Sequence, residues 1–188
     1  CIPLQIEGGH LRGGDVCVPG DVSSQYLSGL LLASPYMEEG LRLSIPDVLV
    51  SRPYVEMTVK MMESFGVEVG CPTPLRFEVA AGQRYLGRAY EIEPDASGAS
   101  YFFAVAALTG ARVQVHGLSR TSMQGDLRFV EILERMGCQV EWGPTMVAVQ
   151  GPAEQGQLRG VEVDMRDCSD VAQTLAVVAA VAASPTRI

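Results

Sequence analysis

The stretch GDVSSQYLSGLLLASP, residues 20–35, places two serines directly before an apolar run without a charged residue. Serine is a favoured N-cap residue, so Ser23 or Ser24 is predicted to begin a helix that runs to about Ala33. The first turn of a helix presents unpaired N–H groups and the positive end of the helix dipole, which attract anions. Two interpretations stay open: the hydroxyls only cap the helix, or they help to bind an anionic ligand.

Apolar segments with polar starts recur along the chain, at residues 24–34, 99–110 and 172–184. A second pattern also repeats, because the amphipathic segment 55–69 matches the segment 127–140. Each of these predicted helices ends in Phe or Met followed by a glycine. Gly66 and Gly137 are therefore predicted to end them in the left-handed conformation. Self-similarity of this kind indicates a repeated architecture.

Short alternating or β-branched runs lie between the helical segments and are predicted to be strands: residues 15–20, 40–45, 67–69, 76–80, 111–117, 138–142, 146–150 and 161–165. The fold class is therefore α/β, built from βαβαββ units. The chain is expected to hold one whole unit, a second whole unit and the start of a third. A domain boundary is predicted near Glu93 and Pro94, which gives the domains 1–92 and 93–188.

Composition excludes several classes of protein. The 188 residues are 47% hydrophobic, carry a net charge of −8 and contain no basic run, which disfavours a nucleic-acid surface. No apolar stretch approaches the roughly 18 residues of a membrane span. The five cysteines form no CxxC pair, so neither disulfides nor a zinc site is expected and reduced, intracellular thiols are predicted. Because the chain begins at Cys and stops where an apolar strand would start, we expect an internal segment.

Two further segments contain candidate binding or catalytic residues. Ser51 and Tyr54 stand at the start of the predicted helix 55–69, where their hydroxyls either cap and pack or join the serine pair around a phosphorylated ligand. Asp164, Asp167 and Asp170 precede the third apolar segment. These carboxylates either complement the helix dipole, or one of them is a general base. The glycine and distal glutamate of an EF-hand are missing, so no metal is expected.

Five ordered blocks resemble one enzyme family, the 5-enolpyruvylshikimate-3-phosphate (EPSP) synthases: VSSQYLSGLLLASP, SRPYVEMTVKMMESFGVEV, DASGASYFFAVAALTG, TSMQGDLRFVEILERMG and SDVAQTLAVVAAVA. The resemblance implies a two-domain, inside-out α/β barrel in which each domain is built from three βαβαββ units. It also implies transfer of the enolpyruvyl group from phosphoenolpyruvate to the 5-hydroxyl of shikimate 3-phosphate. The expected enzyme is a cytoplasmic monomer, or a plastid protein in a plant, and uses no cofactor or metal.

The resemblance assigns a role to each candidate residue. It implies that shikimate 3-phosphate is bound by one set of side chains: Ser23, Ser24, Gln25, Ser51, Tyr54 and Asp170. Gln25 would also reach phosphoenolpyruvate, and Asp170 would be the base toward the 5-hydroxyl. Arg52, where many members have lysine, and Cys168-Ser169 depart from the family pattern. The family's phosphoenolpyruvate-binding loops would lie before residue 1 and its lysine–glutamate motif after Ile188.

Three alternatives remain at the level of sequence. The first is the sister enzyme that transfers enolpyruvate to a UDP-amino sugar, although residues 23–27 and 51–58 favour the shikimate enzyme. The second is a non-catalytic module that binds a sugar phosphate. The third is a structural repeat in which Ser23, Ser24 and Asp170 all serve as caps. Gln124 and Asp126 are predicted to be structural in every case.

Overall fold

The computed structural model describes residues 3–21, 23–153 and 157–188. The chain divides into two compact units, Cys1–Ala89 and Tyr90–Ile188, each with its own hydrophobic core. The predicted boundary at residues 92 and 93 falls just inside the second unit, and the assignment of the units to two barrel domains stays a prediction. None of the described helices is long and apolar enough to cross a membrane.

The first unit has the predicted order βαβαββ: β1 (Gly14–Cys17), α1 (Ser24–Ala33), β2 (Leu41–Ser44), α2 (Arg52–Ser64), β3 (Gly70–Thr73) and β4 (Arg76–Val79). A short 3₁₀ turn, Ser34–Tyr36, follows α1. The strands form one sheet in the order β1-β2-β4-β3, with β1 and β2 parallel and the other pairs antiparallel. The sheet and the two helices enclose the core of this unit, which includes Leu27, Leu31, Leu43, Val55 and Phe77.

The second unit contains α3 (Ala96–Thr109), β5 (Arg112–His116), α4 (Arg128–Met136), β6 (Gln139–Trp142), β7 (Met146–Gln150) and α5 (Ala172–Ala179). Its sheet is antiparallel throughout, in the order β5-β7-β6. The prediction of a second whole unit is wrong, because residues 80–95 contain turns but no strand. The order here is therefore αβαββ, with α5 after it.

The repeat is confirmed in hydrogen-bond detail at the ends of α2 and α4. Gly66 and Gly137 have φ angles of 85° and 110°, which glycine adopts without strain. In both helices the glycine N–H bonds to the carbonyl three residues earlier, and the next N–H bonds to the carbonyl five residues earlier. This pairing is the Schellman motif, so both ends use one structural solution.

Two predicted strands are wrong, and each has a physical cause. Residues 67–69 are not a strand, because the amide of Gln83 takes the place of a strand partner: Glu68 N–H donates to Gln83 Oε1 at 2.7 Å and Gln83 Nε2 donates to Glu68 O at 2.9 Å. Residues 161–165 form only an isolated parallel bridge, between Glu162 and Arg187. The remaining predicted strands overlap observed ones.

Candidate functional site

The start of α1 separates the roles of its two serines. Ser23 is the N-cap, with extended backbone at φ −162°, and its Oγ accepts a hydrogen bond of 3.2 Å from Gln25 N–H. Ser24 is only 7% exposed, and its Oγ makes no hydrogen bond to another residue that the structure describes. A buried hydroxyl without a protein partner is uncommon and suits a ligand. Gln25 is exposed on the same first turn.

The start of α2 holds a backbone outlier. Ser51 precedes the helix with φ 54° and ψ 38°, and it is the only non-glycine with a positive φ in the part of the chain that the structure describes. Its side chain makes no capping hydrogen bond, so simple capping does not account for it. Its carbonyl accepts from the N–H of Tyr54, which is half-buried. Left-handed backbone at a β-carbon-bearing residue is costly and clusters at functional sites.

The fold brings these two helix starts together. Strands β1 and β2 are parallel, so their carboxyl ends, from which the chain enters α1 and α2, lie at one edge of the sheet. Val50 N–H donates to Gly20 O at 2.9 Å and joins the two entering loops. A β-carbon on Gly20 would lie 2.5 Å from Val48 O, so only glycine allows this approach. The predicted groups around Ser24 and Tyr54 therefore share one edge.

The electrostatics of this edge favour an anion. Neither α1 nor α2 has an acidic residue in its first turn, so the positive ends of both helices lack a carboxylate at that position. Arg52 lies at the start of α2, but its guanidinium is held by Glu56 at 2.6 Å and by Pro74 O at 3.0 Å. This engagement agrees with giving Arg52 no catalytic role.

The start of α3 is built in the opposite way. Asp95 is its N-cap and accepts from Ser97 N–H at 2.9 Å, while Ser97 Oγ donates to the buried carboxylate of Asp126 at 2.6 Å. Gln124 Oε1 accepts from Ala96 N–H at 2.7 Å. The structural roles predicted for Gln124 and Asp126 are confirmed. Protein carboxylates already occupy this helix start, which therefore does not suit an anionic ligand.

The three acidic residues before α5 have different surroundings. Arg166 binds Asp164 through its side chain and its backbone N–H, and these hydrogen bonds lower the Asp164 pKa to about 2. Asp167 pairs with Arg128 at 2.8 Å. Asp170 lies exposed on the 3₁₀ turn Ser169–Val171, and among the described residues no Lys or Arg forms an ion pair with it. Only Asp170 thus keeps an unpaired carboxylate.

The backbone around Asp170 is anchored even though its side chain is exposed. Ser169 Oγ donates to Asp170 Oδ1 at 3.3 Å, and Gln173 Nε2 donates to the Asp170 carbonyl. The neighbouring Cys168 and Val171 are buried in the core of the second unit. A carboxylate carried on a buried turn has a defined position, as a general base requires.

Burial determines the reactivity of the cysteines. Cys138 and Cys168 are buried, and burial raises both thiol pKa values from 9.0 to about 11, whereas Cys17 and Cys71 are exposed; Cys1 lies outside the described residues. We expect iodoacetamide at about pH 8 to modify Cys17 and Cys71 but not the buried pair, because the thiolate is the nucleophile. Peptide mapping after labelling measures this. Equal labelling of Cys138 and Cys17 in the folded chain would contradict it.

The sign of the accompanying pH effect follows from linkage. Because the folded state holds the two thiol protons more tightly than the unfolded state, this stabilisation is complete below pH 9.0 and is lost as the pH rises toward about 11. Chemical denaturation across that range should give a falling free energy of unfolding. Cys138→Ser and Cys168→Ser should remove the part of this slope that the thiols cause.

The sequence analysis missed three residues that connect the two helix starts: Gly20, Ser28 and Thr58. Ser28 Oγ and Thr58 Oγ1 lie 2.8 Å apart and link α1 to α2. A sequence signal existed, since each hydroxyl stands four residues after a candidate residue, Ser24 or Tyr54, and therefore on the same helix face. Nothing in the sequence indicated that the two hydroxyls would meet.

Comparison with known structures defines the class of protein. The fold matches EPSP synthase from Acinetobacter baumannii with a TM-score of 0.68, at 24% identity over 93% of this chain and 40% of that chain. It also matches the enolpyruvyl transferase NikO from Streptomyces tendae with a TM-score of 0.60, at 21% identity over 81% of this chain and 36% of that chain. The chain therefore has the α/β fold of the enolpyruvyl transferases.

The sequence match then defines the family. Residues 1–188 match the family EPSP synthase (3-phosphoshikimate 1-carboxyvinyltransferase), and the chain belongs to it. It is 47% identical over 186 residues to the 3-phosphoshikimate 1-carboxyvinyltransferase of Methanoculleus marisnigri. That alignment covers 99% of this chain but 43% of the relative, so the chain spans less than half of the length of this relative.

Proposed function

We propose that the protein transfers the enolpyruvyl group of phosphoenolpyruvate to the 5-hydroxyl of shikimate 3-phosphate and releases phosphate. The observation that carries the proposal is the shared edge at which α1 and α2 begin. Two helix starts without acidic residues meet there, beside the unpartnered Ser24 hydroxyl and the left-handed Ser51. Such donors match a phosphate monoester.

The shared edge has a definite division of labour in this proposal. Ser23 caps α1 and fixes the turn, and Ser24 Oγ donates to the shikimate phosphate. Ser51 and Tyr54 contribute hydroxyls from α2. Gln25, exposed on the first turn, reaches both substrates with its amide. Fixed donors to a dianion give binding and orientation, which keep the 5-hydroxyl near phosphoenolpyruvate.

Asp170 supplies the proton chemistry in this proposal. The 5-hydroxyl oxygen forms a bond to C2 of phosphoenolpyruvate while its proton passes to the Asp170 carboxylate, and C3 gains a proton to give a tetrahedral intermediate. Loss of a C3 proton then restores the double bond as phosphate leaves. An unpaired carboxylate is available for this role, whereas the carboxylates of Asp164 and Asp167 are held by arginines.

We propose further that residues 1–92 and 93–188 belong to the two barrel domains of a monomeric enzyme that needs neither metal nor organic cofactor. The reaction would take place in the cytoplasm, or in the plastid if the source is a plant. The relative from Methanoculleus marisnigri, of which the chain covers 43%, supports a longer enzyme. The residues that complete the active site would come from the rest of that enzyme.

Phosphate release tests the proposal. In the full-length protein, phosphoenolpyruvate should yield phosphate when shikimate 3-phosphate is present and not when UDP-N-acetylglucosamine replaces it. The 188-residue chain alone should give no release above background. Turnover by the chain alone would refute the second expectation. Release supported by the UDP-sugar would identify the sister enzyme, and binding of shikimate 3-phosphate without any release would indicate a non-catalytic module.

A further inference from the structure

A pair of hydroxyls joins the two helices that carry the proposed phosphate site. Ser28 Oγ on α1 lies 2.8 Å from Thr58 Oγ1 on α2. Thr58 Oγ1 also donates to the carbonyl of Tyr54 at 2.9 Å. A hydroxyl has one proton, so Ser28 must donate to Thr58. The bond between the helices therefore has a single direction and a defined acceptor.

The position of this pair relates it to the site. Ser28 follows Ser24 by four residues and Thr58 follows Tyr54 by four residues. Residues four apart lie on the same face of a helix, one turn from each other. The pair thus lies one turn inside α1 and one turn inside α2, below the first-turn residues of both helices.

Two fixed points are needed to hold one helix start against another. The backbone bond from Val50 to Gly20 ties the entering loops at one point. Apolar side chains such as Leu27 and Val55 pack the helices but impose no direction on the contact. A hydrogen bond of 2.8 Å supplies the second point, because it weakens steeply with distance and angle.

We propose that Ser28 and Thr58 are positioning residues, which set the register of α1 against α2 and so the spacing between the Ser24 and Tyr54 hydroxyls. The pair itself contacts no substrate. Its effect is on the affinity for the phosphate of shikimate 3-phosphate, and in this respect the inference rests on the proposed function. The same pair should have little effect on the chemical step.

The test uses the full-length protein with the variants Thr58→Val, Thr58→Ser and Ser28→Ala. Valine keeps the shape of threonine but removes the hydroxyl, and we expect the dissociation constant for shikimate 3-phosphate to rise about 3- to 10-fold. KM should rise by a similar factor while kcat stays nearly constant. Thr58→Ser keeps the hydroxyl and should restore the affinity. Calorimetric titration and steady-state kinetics give these values.

A matched control lies on the same helix. Ser64 Oγ donates to Lys60 O at 2.8 Å, the same backbone bond that Thr58 makes to Tyr54, but without a hydroxyl partner on α1. Ser64→Ala should leave both affinity and KM unchanged. In the double variant Ser28→Ala/Thr58→Val, the effects should not add, because both changes break one bond.

The outcomes separate the inference from the proposed function. If the unmodified protein does not bind shikimate 3-phosphate, the proposed function fails and this inference fails with it. If it binds but Thr58→Val binds equally well, only the positioning role is overturned. A loss of affinity in Ser64→Ala as large as in Ser28→Ala would likewise overturn it. Backbone amide shifts of residues 24, 25 and 54 that change in Thr58→Val and return in Thr58→Ser would support the positioning role independently of any ligand.

Discussion

Asp170→Asn should lower kcat of the full-length protein by about 10²- to 10⁴-fold, the usual contribution of a positioned general base. An alcohol that adds to an enol ether must lose its proton as the new C–O bond forms. Asparagine keeps the size of aspartate and much of its hydrogen bonding but cannot accept that proton. Because Asp170 is exposed, we expect the melting temperature to change little. Phosphate release at saturating substrate concentrations measures the loss.

The neighbouring aspartates provide the controls for this variant. Asp164 is bound by Arg166 and Asp167 by Arg128, so neither carboxylate is available as a base. Asp164→Asn and Asp167→Asn should keep kcat close to the unmodified value. A carboxylate near a helix start contributes only about 0.3–1 kcal/mol to stability. If all three variants behave alike, or if Asp170→Asn retains its kcat, then Asp170 is a helix-terminus charge and not the base.

Ser24→Ala should raise the dissociation constant for shikimate 3-phosphate about 10- to 150-fold in the full-length protein. A hydrogen bond to a charged group contributes about 1.5–3 kcal/mol, which corresponds to that range of affinity. Ser24 Oγ bonds to no other described residue, so its removal should cost little stability. Calorimetric titration with shikimate 3-phosphate, and with shikimate as the ligand that lacks the phosphate, measures the effect.

Ser23→Ala is the matched control one residue earlier. Its Oγ caps α1 through Gln25 N–H, so this variant should lose about 0.5–2 kcal/mol of stability. Its affinity should fall less than that of Ser24→Ala, because its hydroxyl is already used within the helix. The reverse pattern, with stability lost in Ser24→Ala and affinity lost in Ser23→Ala, would contradict the division of roles.

Some predictions failed because distant residues decide whether a strand forms. The sequence of residues 67–69 has the alternation of a strand, but its backbone groups bond to the side chain of Gln83. The absence of a strand in residues 80–95 has a similar origin, since a strand needs a partner and the described chain pairs none with them. Alternation reports which side chains can be buried, and it does not identify a partner.

By itself the sequence determined the features that depend on nearby residues: the helix starts, the glycine ends at Gly66 and Gly137, and the repeat that indicated the fold class. Their physical basis is local, because caps and helical periodicity involve residues within about one turn. Only the tertiary structure separated Ser23 from Ser24, placed Ser28 against Thr58 and paired Asp167 with Arg128. The last two contacts join residues far apart in the chain, and the burial that isolates the Ser24 hydroxyl depends on packing, so no local pattern encodes them.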